Sequence, residues 1–218
     1  MAVRPIFVAS PEPPFVQKKT VGFGFAPGFA VSQARKNIAH LHESYMKAWH
    51  KTEPLEISSK SMQELGVELS AFKLVYHLPD GRHYTVEQIF QASKVFTNGG
   101  PYTDLLDMKP KDAKKDPRLR SSGAVKGFRF DGVDYPSEPE TAFYNWIWIN
   151  ALLTNPDLSE RIMNYDAFTD IVFNPQKSLN CQAEAAAVYV GLKKTGKLEE
   201  AMAAFDAFVK TVCQPPTA

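Results

Sequence analysis

The segment YTVEQIFQASKVF, Tyr84 to Phe96, sets a carboxylate, an amide and an amine on one flank of a short helical pattern. On a wheel of about 100° per residue, Val86, Ile89, Phe90, Ser93 and Phe96 share one arc, and Glu87, Gln91 and Lys94 fall together just beside it. Thr85 followed by Gln88 matches a capping box. Its hydroxyl accepts an N–H of the first turn while the amide returns to the cap N–H, which fixes Glu87 in that turn. An acid there is favoured by the helix dipole by roughly 0.3–1 kcal/mol and needs no function to explain it. Sheltered beside Phe90, the same acid would be disfavoured in its charged form and could hold a proton for general acid chemistry. Spacing alone supports both readings.

Other chemistries find little to work with. His40 and His42 lie two apart on a predicted helix and so diverge, and the five histidines assemble no metal motif, so no metal is expected. No glycine-rich dinucleotide loop and no Ser-His-Asp order is present, and no cofactor is expected. Cys181 and Cys213 form no metal-ligand spacing and no disulfide framework, which makes a reducing cytoplasm the expected location. Prolines and Glu12 interrupt the apolar start MAVRPIFVASPEPPFV, and no stretch approaches the roughly 20 apolar residues of a membrane span.

A net charge of +1 gives no whole-protein attraction to nucleic acid. The distribution is less even: Lys109 to Arg129 holds eight Lys/Arg against Asp112 and Asp116, a patch fit either for solvent or for phosphates.

The elements that must position these groups read as a helix-dominated α+β domain with a few short strands. A Pro-rich arm over residues 1–20 precedes SQARKNIAHLHESYMKAWHK, a helix with Ser32 as its N-cap. LEISSKS reads as a short strand entering a loop, and LSAFKLVYHL as an extended segment closed by a turn at Pro79 to Gly81. FRFDGVDYP reads as a hairpin turning at Asp131-Gly132. PETAFYNWIWINALL and PDLSERIMNY follow as helices, DAFTDIVFNP as loop or short strand, and CQAEAAAVYVGLKK and KLEEAMAAFDAFVKTV as final helices separated at Gly196. The chain of 218 residues suits one domain, 21–212, with a tail at 213–218.

TVEQIFQASKVF resembles the signature helix of the NADAR (YbiA-like) family, and KPKDAKKDPRLRSSG and NYDAFTDIVFNPQKSLNCQAEAAAVYV are similar to later family segments in the same order. RPIFV, PGFAVSQARKNIAHLH, LEISSKS, ASKVFTNGGPYTDLL and EPETAFYNW look like the subgroup of NADAR antitoxins encoded beside DarT toxins, over about residues 3 to 205. Gln88 stands where the broader family usually has His, and Phe168-Thr169-Asp170 where it often has Trp-Gly.

The resemblance implies a single-domain NADAR fold and an N-glycosidase that removes ADP-ribose from guanine in DNA, with a DarT-type toxin as functional partner. Its rivals are an N-glycosidase of a small metabolite such as a riboflavin-pathway intermediate, and a non-catalytic antitoxin that binds its toxin. Cleaving a base–ribose bond builds positive charge at the anomeric carbon and negative charge on the departing guanine, so the site needs a nucleophile and a proton donor.

The family position makes Lys60 the candidate nucleophile, acting as a neutral amine through a Schiff base, with Glu87 as acid/base. Asp166 or Asp170 would orient ribose hydroxyls or share the acid/base work, unless both serve only to form turns. Ser59, Gln91, Lys177, Asn180 and the Gly99-Gly100-Pro101-Tyr102 turn suit the rest of ADP-ribose, with Asn180 also able to cap the helix at Cys181. Tyr102, Phe168 and Trp146 are candidates for stacking on a base, with core packing the competing job of Trp146 and Trp148. Lys114, Lys115, Arg118 and Arg120 would hold the phosphates of single-stranded or locally melted DNA.

Overall fold

The computed structural model describes residues 1–51, 53–176 and 178–213. The Pro-rich start is a β-hairpin. Strands β1 (Ala2–Ala9) and β2 (Val16–Phe23) pair antiparallel in a four-stranded sheet of order β2-β1-β9-β3, completed by β3 (Leu55–Glu56) and β9 (Ala167–Thr169). Pro5 disguised this strand, since a proline cannot donate to a ladder. It is tolerated because β9 reaches β1 only at Phe7 and Val8, leaving Pro5 with β2 as its single neighbour.

Side-chain alternation divides the core across this sheet. Ile6 and Ala167 face helix α1 (Val31–Trp49) with Leu41 and Tyr45, whereas Phe7 and Phe168 face the main core. Helix α1 begins at Val31 with Ala30 as N-cap and no side-chain cap, so Ser32 is inside the helix rather than at its cap.

Beyond β3 the chain forms a short helix α2 (Glu64–Glu68) and a turn through Leu69 to Phe72, and only Val75–His77 (β4) is extended. The expected long strand is cut short because Leu69 and Ala71 are needed in the core of the turn. The Pro79 to Gly81 turn leads to β5 (His83–Thr85), which runs into α3 (Val86–Ala92) and β6 (Lys94–Phe96). Short helices α4 (Pro110–Ala113) and α5 (Arg118–Ser121) precede β7 (Val125–Phe130) and β8 (Val133–Pro136), joined at Asp131-Gly132 with both residues at positive φ, as a type I′ turn requires.

Helix α6 (Ala142–Leu153) is apolar nearly all round and runs through the core, with Trp148 fully buried and its N–H on Leu69 O at 3.3 Å. Helix α7 (Pro156–Arg161) follows, with proline in its first turn. Helix α8 (Gln182–Lys194) packs on β1, β9 and α6, and a Cβ at Gly191 would collide with Ser10 O and Phe15 O, so only glycine lets helix and hairpin approach. The last predicted helix is two, α9 (Leu198–Met202) and α10 (Phe205–Val212), because Ala204 takes an extended conformation between them.

The Thr85–Gln88 capping box is present in full, with Thr85 Oγ1 accepting from Gln88 N at 3.3 Å and Gln88 Oε1 accepting from Thr85 N at 2.9 Å. Thr85→Ala is expected to lower stability by about 1 kcal/mol, read as a reduced denaturant midpoint at constant slope.

Candidate active site

The flank of α3 becomes a hydrogen-bonded row. Gln91 Nε2 donates to Glu87 Oε1 at 2.7 Å, and Gln91 Oε1 accepts from Lys94 Nζ at 2.7 Å. The amide thus joins the acid to the amine with its orientation fixed at both ends. Glu87 is buried at 5% exposure and anchored from behind, since its backbone N–H donates to Ala71 O. Its second oxygen, Oε2, faces Lys114 Nζ at 3.4 Å.

Two lysines therefore flank one carboxylate. Lys94 Nζ sits over the Phe90 ring at 4.5 Å, and Lys114 Nζ over the Phe72 ring at 5.0 Å. Burial lowers the Lys94 amine to about 8; Glu87 opposes that shift and the Lys114 ammonium adds to it. An amine of this kind is partly neutral near pH 7, as a nucleophilic lysine must be.

Lys94 opens on a cleft of about 560 Å³ lined by Phe90, Phe128 and Leu179 as apolar walls and by Glu138, Glu140 and Asn180 among its polar groups. Cys181, not Asn180, is the N-cap of α8, and it makes no side-chain cap. Asn180 Oδ1 is instead buried, with no partner among the described residues, on the wall of this cleft.

Asp170 is half-buried immediately after β9. Its Oδ1 accepts from Val172 N at 2.9 Å and Phe173 N at 3.1 Å, and its Oδ2 accepts from Gln182 Nε2 at 3.0 Å. Burial, followed by the nearby Glu56 carboxylate, raises it to about 7 against those three donors. Tyr144, whose ring meets Phe90 edge-on at 5.1 Å, is buried within the fields of both Glu87 and Asp170, and burial pushes its hydroxyl well up. Gln182 ties the parts together: it donates to Ile57 O at 2.6 Å and accepts from Ala71 N at 2.7 Å, the residue that in turn holds Glu87.

Several residues expected at the site are elsewhere. Asp166 is exposed and ion-paired with Lys194, in a second cleft of about 360 Å³ with Tyr45 and Lys51 that includes neither Glu87 nor Lys94. Phe168 is fully buried in β9, because its position faces the main core, and cannot stack on a base. Trp146 packs against Phe205 and Phe208 and Trp148 lies inside α6, so both serve the core.

Arg118 is committed to Asp104 and Asp116 and lies over the Tyr102 ring at 4.4 Å, which removes both Arg118 from the phosphate set and that face of Tyr102 from stacking. Gly100 is required by packing, since a Cβ there would strike Lys94 O; the Gly99 to Tyr102 turn thus braces the Lys94 backbone. Lys114 belongs to Glu87 rather than to a free basic surface, while Lys115 and Arg120 are exposed. Ser59 is exposed and Lys60 half-buried; the Lys60 backbone N–H donates to Ser58 Oγ at 3.1 Å, and no side-chain bond of Lys60 is made among the described residues. Lys177 lies outside the described residues.

The sequence carried a signal for the amine that joins Glu87 through Gln91. Lys94 is seven residues from Glu87 and three from Gln91, on the same flank of the wheel. For Gln182 and Tyr144 there was none, since both are reached only through chain segments distant in sequence.

Among the described residues no group of three or more His, Cys, Asp or Glu side chains is arranged for a metal ion, and no helix is long and apolar enough to cross a membrane. No curated protein matches the chain. A family model described as DarT1-associated NADAR antitoxin matches residues 2–218, which takes in the N-terminal hairpin as well as every element around the cleft. The chain therefore belongs to the family of DarT1-associated NADAR antitoxins.

Proposed function

We propose that this antitoxin acts as an enzyme, removing ADP-ribose from guanine bases in DNA by N-glycosidic cleavage and so reversing the modification made by a DarT-type toxin. The observation that carries this reading is the Lys94–Gln91–Glu87 row opening on a cleft with apolar walls. An amine lowered to about 8 beside a carboxylate is suited to attack a sugar carbon and manage the protons that follow.

In this scheme the neutral Lys94 amine forms a bond to the anomeric carbon as the bond to guanine breaks. The departing guanine nitrogen takes a proton from solvent, and Glu87 accepts one from the new ammonium by way of a water, with Gln91 orienting both groups. The sugar ring opens to a Schiff base as its oxygen is protonated, and water then releases ADP-ribose and restores the amine. Geometry favours Lys94 over Lys60 for this role, since only Lys94 is hydrogen-bonded into the Glu87 row. Asp170 is the second proton-holding group, and Asn180, whose buried oxygen has no partner among the described residues, is suited to a ribose hydroxyl. Incubation of the protein with an ADP-ribosyl-guanine oligonucleotide tests the reading: release of ADP-ribose and an unmodified strand is expected, and an unchanged oligonucleotide would overturn it.

For the nucleic acid, the exposed Lys115 and Arg120 are the members of the phosphate set left uncommitted by the ion pairs around Glu87 and Asp116. Lys115→Ala with Arg120→Ala should weaken binding of single-stranded substrate and flatten its log–log salt slope by about 1.4, at about 0.7 per phosphate contact. Cleavage of a free ADP-ribosyl nucleoside should be unchanged, and equal loss on both substrates would remove these two residues from a DNA role.

A further inference from the structure

The second cleft, of about 360 Å³, is lined by the end of β1 and the turn after it, the C-terminal part of α1, the last turn of α8, and Asp166 just before β9. Backbone contacts set its shape. Ala9 N donates to Asp166 O at 2.8 Å, which fixes Asp166 against β1, and Gly191 lets α8 pass close to Ser10 O and Phe15 O.

Two of its polar groups have local explanations. Lys194 lies in the last turn of α8, where a cation complements the helix dipole, and it pairs with Asp166. Tyr45 has no such explanation. It is 1% exposed, with its ring tilted on Trp49 at 5.3 Å and packed among Ile6, Leu41 and Ala167, yet its hydroxyl makes no hydrogen bond among the described residues. A phenylalanine would fill the same space without carrying a polar group inside, so packing does not account for the oxygen. The side chain lines the cleft, and the hydroxyl is its one polar atom. Burial, followed by the Asp166 carboxylate, raises that hydroxyl above its ordinary value, so it stands as an O–H donor with no acceptor.

The charges around this donor define what would satisfy it. Lys51 and Lys194 bring two ammoniums and Asp166 one carboxylate, so the lining is net positive with a single acceptor edge. A group with three anionic oxygens can receive the Tyr45 O–H and both ammoniums together, which a phosphate does. Asp166, an acceptor only, suits hydroxyls on the body that carries the phosphate, and Val8, Ala9 and Pro11 offer apolar contact to its C–H face. A cleft of about 360 Å³ is at the small end of ligand pockets, the size of a monosaccharide phosphate rather than of a dinucleotide.

We propose that this cleft is a binding site for a small hydroxylated phosphate ester of the sugar-phosphate class, with the phosphate held by Tyr45, Lys51 and Lys194 and the hydroxyls by Asp166. It shares no lining residue with the Lys94 cleft, and it does not depend on the glycosidic cleavage proposed above.

Ribose 5-phosphate is the probe, titrated into the protein while the backbone amide NMR spectrum is recorded. Saturable shifts are expected at the end of β1, the C-terminal part of α1, Asp166 and the last turn of α8, in the parent chain and equally in Lys94→Met. Ribose and inorganic phosphate should each bind at least about tenfold more weakly. Tyr45→Phe and the exposed-site variant Lys51→Met should each weaken binding of ribose 5-phosphate about tenfold. A denaturant series separates a ligand role from a structural one: with no internal partner to lose, ligand-free Tyr45→Phe should keep at least the parental midpoint. A lowered midpoint would show the hydroxyl engaged within the fold and would overturn the proposal. Unsaturable shifts, shifts confined to the Lys94 cleft, inorganic phosphate binding as well as the sugar phosphate, or parental affinity in both variants would each do the same.

Discussion

Lys94→Met should leave a folded protein that has lost ADP-ribosyl-guanine cleavage by a factor on the order of 10²–10⁴, with no adduct trapped by borohydride, while Lys60→Met traps normally. Methionine keeps the chain's reach over Phe90 and deletes only the amine bonded to Gln91. An adduct that persists in Lys94→Met and disappears in Lys60→Met would reassign the nucleophile to Lys60.

The pH profile provides a second readout. Lys94 must be neutral, so its active fraction rises about tenfold per unit up to its value of about 8. Asp170 must be protonated, so its active fraction falls about tenfold per unit above about 7. Their product is a bell with a flat top between about 7 and 8. Stability carries the same signature. The Lys94 amine is lowered from 10.5 to about 8 in the fold, so between those values the unfolded chain binds more protons and stability rises with pH. That rise should be smaller in Lys94→Met.

Glu87→Gln is the second large effect, with an expected loss in turnover on the order of 10²–10³ at nearly unchanged substrate affinity. The amide preserves shape but cannot take the proton that Lys94 sheds, and its NH₂ group would face either the Gln91 donor or the Lys114 ammonium. Loss of the carboxylate also removes the anion that favours the charged form of Lys94, so the ascending limb of any residual activity should move to lower pH. A variant that cleaves at the parental rate would exclude Glu87 from proton transfer. A variant that still protects cells without cleaving DNA adducts would instead favour direct binding of the toxin.

Much of α3 was legible because its determinants are local. The capping box, the apolar arc and the Glu87–Gln91–Lys94 flank involve residues within one or two turns of each other, and the structure keeps all three. The Asp131-Gly132 hairpin was legible for the same reason, its turn chemistry being carried by two adjacent residues. The N-terminal hairpin was not, because Pro5, Pro11, Pro13 and Pro14 mask the strand pattern and only pairing with β9, more than 150 residues away, makes β1 part of the main sheet.

The amino-acid sequence by itself determined the family, the helix-rich α+β class and the row of acid, amide and amine on one helical flank, since each is written in short-range spacing or in motifs along nearly the whole chain. Only the tertiary structure decided that Lys114 meets Glu87, that Asp170 is half-buried while Asp166 is exposed, and that His42 and Glu56 are buried. Those outcomes depend on β3 lying parallel to β9 and on Gln182 joining Ile57, Ala71 and Asp170. Such long-range pairings set burial and electric field, and neither quantity is a property of local sequence.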